Sequence, residues 1–246
     1  MKISQEFIDW ACSFSGCDGG NPDANIWLSG IEWGGGNKKY YCEELRQEIS
    51  KGKYLPSISY DWKYSLKNTY GRNVAKLIAA IHGEDVCRYS EFANKCNGSE
   101  IFKMNLYPIA FSNTNEALWK QFELDTITGF EEKQLFKTWC FFKRFPTIAK
   151  LAKEKGPRLI IGTGISYLTD FFVCFAGGIG TETPINTGII PPDSTKISNQ
   201  HPRTFYWAEL SNGTWLFVIP FFSGQYGLNS DYLIQRMGEF IKNTVY

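Results

Sequence analysis

Ile26-Trp27-Leu28-Ser29-Gly30-Ile31-Glu32-Trp33-Gly34-Gly35-Gly36 is a short apolar run that stops at a glycine, sets an acid two residues later and then adds three glycines. A buried strand ends this way when its C-terminal edge must hold a charge beside a ligand that lies close to backbone. Glu32 is therefore the first candidate for chemistry, against the plainer reading of an acid that caps a turn.

Outward from this stretch, apolar runs and helical periods alternate. Asn25 to Ser29 reads as a first strand, Ile101 to Leu106 as a second ended by Pro108, and Arg158 to Ile161 as a third. Helices are expected over Ser4 to Phe14, near Glu43 to Ile49, and over Arg72 to His82 before the Gly83 stop. A long helical stretch from Phe130 to Lys155 should break at Pro146 and close at Gly156-Pro157. Another helix should follow Gly162-Thr163-Gly164 through Phe172. Gly177 to Arg203, rich in Gly, Pro and Thr, reads as a loop. Thr204 to Leu210 and Thr214 to Ile219 read as strands around an Asn212-Gly213 turn, with a last helix from Ser230 to Asn243. This order predicts one α/β domain over residues 1–246, a three-layer α/β/α sandwich with a mainly parallel central sheet and ligands at the C-terminal strand ends.

Composition sets the outer limits. Hydrophobic residues make up 43% of 246 and charged residues 21%, enough for a substantial core. No apolar run approaches the about 20 residues that span a bilayer, and the first residues lack a signal-peptide core, so a cytoplasmic protein with no membrane partner is expected. Seven irregularly spaced cysteines without a Cys-x-x-Cys pair read as reduced thiols, not as a metal site. A formal net charge of +1 argues against a broad nucleic-acid footprint but leaves room for a compact one. Aromatic residues at 16% suit a core, and also stacking on bases or sugars.

Three strand ends carry polar groups that could converge: Gly30 to Gly35, Lys103 to Pro108, and Pro220 to Asn229. An acid, an amide and a Ser/Gly turn before a helix are what base excision requires. A carboxylate can stabilise an oxocarbenium-like state while it positions water. An amide offers both a donor and an acceptor to a flipped base. Glycine-rich backbone and a helix N-terminus suit phosphate.

On these motifs the chain resembles the uracil-DNA glycosylase superfamily, as a divergent member, along nearly its whole length. Gly30-Ile31-Glu32-Trp33-Gly34 is similar to the family's first motif, and Tyr70-Gly71-Arg72-Asn73 to the one that carries its base-stacking aromatic. Asn105 matches the base-reading asparagine, Leu159 to Gly164 the third strand, and Phe221-Phe222-Ser223-Gly224 with Gln225 to Asn229 the final, DNA-intercalating motif. The resemblance implies a monofunctional DNA glycosylase with Glu32 and Asn105 catalytic. Gly30, Ile31, Trp33, Gly34, Gly35, Tyr70 and Tyr107 would line the base pocket. Ser223, Gly224, Gln225, Tyr226, Leu228 and Asn229 would meet DNA. Tyr70 reads equally as core, and Ser223 to Asn229 as a plain helix cap.

Two departures from the family pattern bear on substrate. Trp33-Gly34-Gly35 replaces the Pro-Tyr that crowds C5 of uracil, and Phe221 replaces the motif histidine that stabilises the departing base. An open C5 side suits a bulky 5-substituted pyrimidine, such as glucosylated hydroxymethylcytosine in phage DNA, and so a defence role. Uracil excision in repair and a catalytically inert modified-base reader are the alternatives, with a small-molecule hydrolase built on Gly162-Thr163-Gly164 ranked behind them. No cofactor is expected, and a monomer acting on DNA is. No lysine in the motifs suggests a Schiff base. His201 reads as a loop histidine that could swing in as the missing electrophile. Lys143, Arg144, Lys150, Lys153 and Lys155 read as a solvated helix face.

Overall fold

The computed structural model describes residues 3–32, 39–96, 98–110, 117–177, 183–195 and 200–246. Its strands are β1 (Gly19–Gly20), β2 (Ile26–Gly30), β3 (Ile101–Asn105), β4 (Leu159–Thr163), β5 (Asn186–Ile190), β6 (Arg203–Glu209) and β7 (Trp215–Ile219). They form one sheet in the order β1-β3-β2-β4-β7-β6-β5. The helices are α1 (Gln5–Ala11), α2 (Lys39–Ser50), α3 (Trp62–Ser65), α4 (Thr69–Ile81), α5 (Tyr89–Lys95), α6 (Leu118–Gln121), α7 (Leu124–Thr128), α8 (Lys133–Trp139), α9 (Phe145–Lys155), α10 (Leu168–Ala176) and α11 (Asp231–Val245).

The expected mainly parallel sheet is in fact mixed. β3, β2, β4 and β7 run parallel at its centre, whereas β1, β6 and β5 are antiparallel additions at the two edges. Two of these edge strands carried no usable signal. β1 is a pair of glycines, and β5, largely exposed, lies inside the segment whose Gly, Pro and Thr content reads as a loop. Gly188 is what lets β5 lie flat on β6, since a Cβ there would sit 2.3 Å from the ring of Phe205.

Alternate residues of the central strands feed two apolar cores. Trp27, Phe102, Met104, Ile160, Leu216 and Val218 point to one, against α9 and α10. Ile26, Leu28, Ile101, Ile161, Phe217 and Ile219 point to the other, against α4 and α11. Helix starts follow the local chemistry: Asn68 and Ser230 accept from Gly71 and Leu233 backbone N–H groups to cap α4 and α11.

The long helical stretch is not broken at Pro146. Helix α8 runs through a π turn at Cys140–Arg144 directly into α9, with Pro146 in its first turn. Proline clashes with the carbonyl four residues earlier, here Phe142, and the wider turn relieves that contact. It also rotates Arg144 inward. Instead of joining a solvated face, Arg144 is completely buried.

Among the described residues no helix is long and apolar enough to cross a membrane. The cysteines of the described residues are free thiols.

Candidate active site

β2 lies between β3 and β4, so the chain leaves it towards opposite sides on its next two crossovers. Crevices at such a switch point are where α/β sheets hold ligands. A cavity of about 1050 Å³ opens there, lined among others by Gly30, Ile31, Glu32, Tyr70, Lys103 and Asn105. The acid and the amide singled out from sequence, together with Tyr70, thus share one cavity. Trp33, Gly34 and Gly35 lie outside the described residues.

Register places Gly30 opposite Asn105. A Cβ at Gly30 would stand 2.3 Å from Asn105 Oδ1, so the glycine gives the amide its room. Asn105 Nδ2 donates to the Gly16 carbonyl at 3.0 Å, and its backbone N–H donates to the same oxygen at 3.1 Å. One amide hydrogen and Oδ1 have no hydrogen-bond partner among the described residues. The asparagine is therefore fixed in rotation with part of its capacity free for a ligand.

Its main chain is held from beneath by Arg144. Nη2 donates to the carbonyls of Asn105 at 3.0 Å and Ser15 at 2.8 Å, and Nε to that of Leu106 at 2.5 Å. Nη1 reaches the Ala11 carbonyl, the Ser13 carbonyl at 3.3 Å and Ser15 Oγ at 3.1 Å. Burial pulls the guanidinium pKa down, yet Arg stays charged in proteins, and five carbonyls solvate it here. In sequence Arg144 reads as part of a solvated helix face because the π turn that buries it carries no periodic signature.

Glu32 projects beyond β2 with its side chain 15% exposed and Lys133 Nζ 3.1 Å from Oε1. Burial raises its pKa, and the Lys133 ammonium opposes that rise. The resulting carboxylate is poorly hydrated, basic for its type, and aimed into a cavity. Ile31 also lines the cavity, and its carbonyl accepts from Tyr107 N–H at 2.8 Å, which continues the β2–β3 ladder past the strand ends.

Tyr70, in the first turn of α4, sends its hydroxyl to Thr163 Oγ1 at 3.0 Å. Its ring lies 5.4 Å from that of Phe221 at 31°, meets Phe222 edge-on, and has Lys103 Nζ 4.7 Å from its centroid. The ring is engaged on several sides, so Phe221, 46% exposed and in the cavity wall, is the more open stacking surface.

Tyr107 does not line the cavity. It is buried against Phe136 and Phe145 and donates to Asp170 Oδ2 at 2.9 Å, because the chain turns inward after Leu106.

The final loop is tied down. Leu228 is fully buried in the core beside α4 and α11 and cannot fill a gap in DNA. The loop's exposed side chains are Ser223, Gln225, Tyr226 and Asn229. Arg203 Nε donates to the Gly227 carbonyl at 2.6 Å, and Asn229 Nδ2 to that of Gly224 at 2.9 Å. His201 Nε2 is 2.8 Å from Gln225 Nε2, and its ring is 4.8 Å from that of Tyr226. It braces this loop and is not in the cavity wall.

Lys103, read in sequence only as the start of a polar strand end, and Asp18, not singled out there, stand together at the cavity. They form an ion pair in the cavity wall, with the lysine 12% exposed. The signal was present: a lysine in the middle of Ile-Phe-Lys-Met-Asn interrupts a buried run. Two lysines thus stand at the site, Lys103 in the cavity wall and Lys133 on Glu32, each in an ion pair. Glu44, Glu48 and Asp61 add carboxylates to the described wall beyond Asp18 and Glu32, which are ion-paired with Lys103 and Lys133.

In Gly162-Thr163-Gly164 the Gly164 N–H donates to the Ile219 carbonyl at 2.8 Å, Thr163 and Gly164 line the cavity, and a 3-10 turn over Ile165–Tyr167 leads into α10. Among the described residues no three His, Cys, Asp or Glu side chains are grouped as metal ligands.

No protein-family model matches the sequence, and neither a curated protein nor a solved structure matches it.

Proposed function

We propose that the chain is a monofunctional DNA glycosylase that hydrolyses the N-glycosidic bond of a flipped-out pyrimidine bearing a bulky 5-substituent and leaves an abasic site. The observation that carries this reading is the pairing, in one cavity at the switch point, of a largely desolvated carboxylate with a clamped amide. Glu32 orients and deprotonates water while it stabilises the sugar cation. Asn105 hydrogen-bonds the base edge, with Phe221 and Tyr70 as its aromatic wall. The loop over Ser223–Asn229 meets the backbone, with Tyr226 as its exposed aromatic.

Size and charge of the cavity favour a decorated base over uracil. About 1050 Å³ is at the upper end of pockets that hold drug-sized ligands, far more than one pyrimidine fills. Its carboxylates repel phosphate but accept hydrogen bonds from hydroxyls, as a hexose on a hydroxymethylcytosine would supply. DNA of that kind belongs to phages with modified genomes, and excision would expose it to breakage as a defence. Lys103 and Lys133 are each held in an ion pair, which disfavours a Schiff base and supports simple hydrolysis.

The test is incubation of the purified protein with duplexes carrying uracil, 5-hydroxymethylcytosine or its glucosylated form, followed by alkaline cleavage at abasic sites. Strand breaks are expected with the glucosylated base. Breaks confined to uracil would replace the substrate, and tight binding without breaks would make the chain a reader.

A further inference from the structure

Lys103 stands on β3 two residues before Asn105, and side chains two apart share one sheet face. Both line the cavity. The lysine is 12% exposed, paired with Asp18 and flanked by the rings of Tyr70 at 4.7 Å and Tyr60 at 5.9 Å. A buried ion pair adds little to stability compared with well-packed apolar side chains, so the strand alone gives no reason for a charge here. No histidine lines the described wall: Phe221, which is in it, has no proton to give, and His201 is outside it, engaged with Gln225 and Tyr226.

We infer that Lys103 is a further catalytic residue, the proton-bearing electrophile that stabilises the departing base. The inference rests on the base-excision reading above. As the C1′–N1 bond breaks, its electron pair passes onto N1 and is shared with the C2 carbonyl oxygen of the base. The Lys103 ammonium donates its hydrogen bond, and then its proton, to that anion. Water adds its oxygen to C1′ and gives one proton to Glu32, and Lys103 is reprotonated from Glu32 or solvent. The products are a C1′ hydroxyl and a neutral base, so one water is consumed and protons balance. Burial alone would lower the lysine's pKa, but the Asp18 carboxylate outweighs it and keeps the group charged. It is therefore a donor and not a nucleophile.

Single-turnover base release from glucosylated hydroxymethylcytosine duplexes, with binding measured in parallel, tests this. Lys103→Gln is expected to lose roughly 10²–10³-fold in rate, the range for removal of one electrostatic donor, with affinity within about twofold. Lys103→Arg should keep the rate within about tenfold, since the charge and a donor remain. Asp18→Asn should move the alkaline fall of the pH–rate profile to lower pH, because Asp18 is the carboxylate facing the ammonium, with Tyr60 and Tyr70 as its other titratable neighbours. Should Lys103→Gln fail to fold, the other two variants still decide. Wild-type rate in Lys103→Gln, loss of affinity in place of rate, or an unmoved alkaline limb in Asp18→Asn would overturn the assignment while base release by the wild type stands. A wild type that releases no base from any of the three duplexes removes the excision reading itself, and this inference with it.

Discussion

Gly30→Ala should disable the site through Asn105 while leaving the fold intact. The added Cβ would sit 2.3 Å from Asn105 Oδ1, where ordinary contact begins near 3.4 Å. The main chain cannot yield, because Gly30 pairs with Asn105 in the sheet and Arg144 holds the Asn105 carbonyl. The amide must instead swing by roughly 1 Å, a displacement of the size that costs a positioned group about 10²-fold in rate. It would also strain the bond to the Gly16 carbonyl, worth about 1 kcal/mol. Against that, alanine recovers about 0.5–1 kcal/mol of chain entropy in a strand. Stability should therefore change by no more than about 1–2 kcal/mol. Single-turnover base release and a thermal melt, run on Gly30→Ala, Asn105→Ala and the double variant, separate the effects. Because Gly30→Ala acts through the amide, it should add almost nothing in the Asn105→Ala background. Full activity in Gly30→Ala, or additive losses in the double variant, would refute the reasoning.

Other perturbations have equally definite outcomes. Glu32→Gln should cut base release by about 10²–10⁴-fold with binding kept, by the same assay. Lys133→Gln should shift the acid limb of the pH–rate profile to higher pH. The sign follows from Glu32 acting as the carboxylate: burial already raises its pKa, the Lys133 ammonium restrains the rise, and removing it lets protonation persist further up in pH. Arg144→Met should destabilise by roughly 3–5 kcal/mol in urea unfolding, since five buried carbonyls lose their donor; a loss below about 1 kcal/mol would contradict the clamp. Tyr226→Ala should weaken binding to duplex DNA without moving the melting temperature, whereas Leu228→Asp should unfold the protein, as a charge in an apolar core requires.

Much of the architecture was legible where a single physical signal dominated. The runs at Ile26 and Ile101 end in Gly30 and just before Pro108 because strand ends need special backbone, and α4 shows the apolar period of a helix packed on a sheet. Glu32 and Asn105 could be found because each is polar at the end of an apolar run. What escaped notice depended on tertiary context. β5 is an exposed edge strand whose Asn-Thr-Gly start resembles a loop. Arg144 looks like one more basic residue until a π turn rotates it inward. Tyr107 and Leu228 fall within motif segments but face the core, which depends on how the chain turns after β3 and before α11. Lys103 was the readable exception, a charge inside a buried strand.

The most direct measurement is the mass of what the protein frees from DNA containing glucosylated hydroxymethylcytosine. Cleavage at C1′ predicts the intact glucosylated base in solution and an abasic sugar left in the strand, with both signals lost in Glu32→Gln. Free glucose with hydroxymethylcytosine still in the strand would mean that the cavity attacks the sugar substituent instead, and would contradict the account.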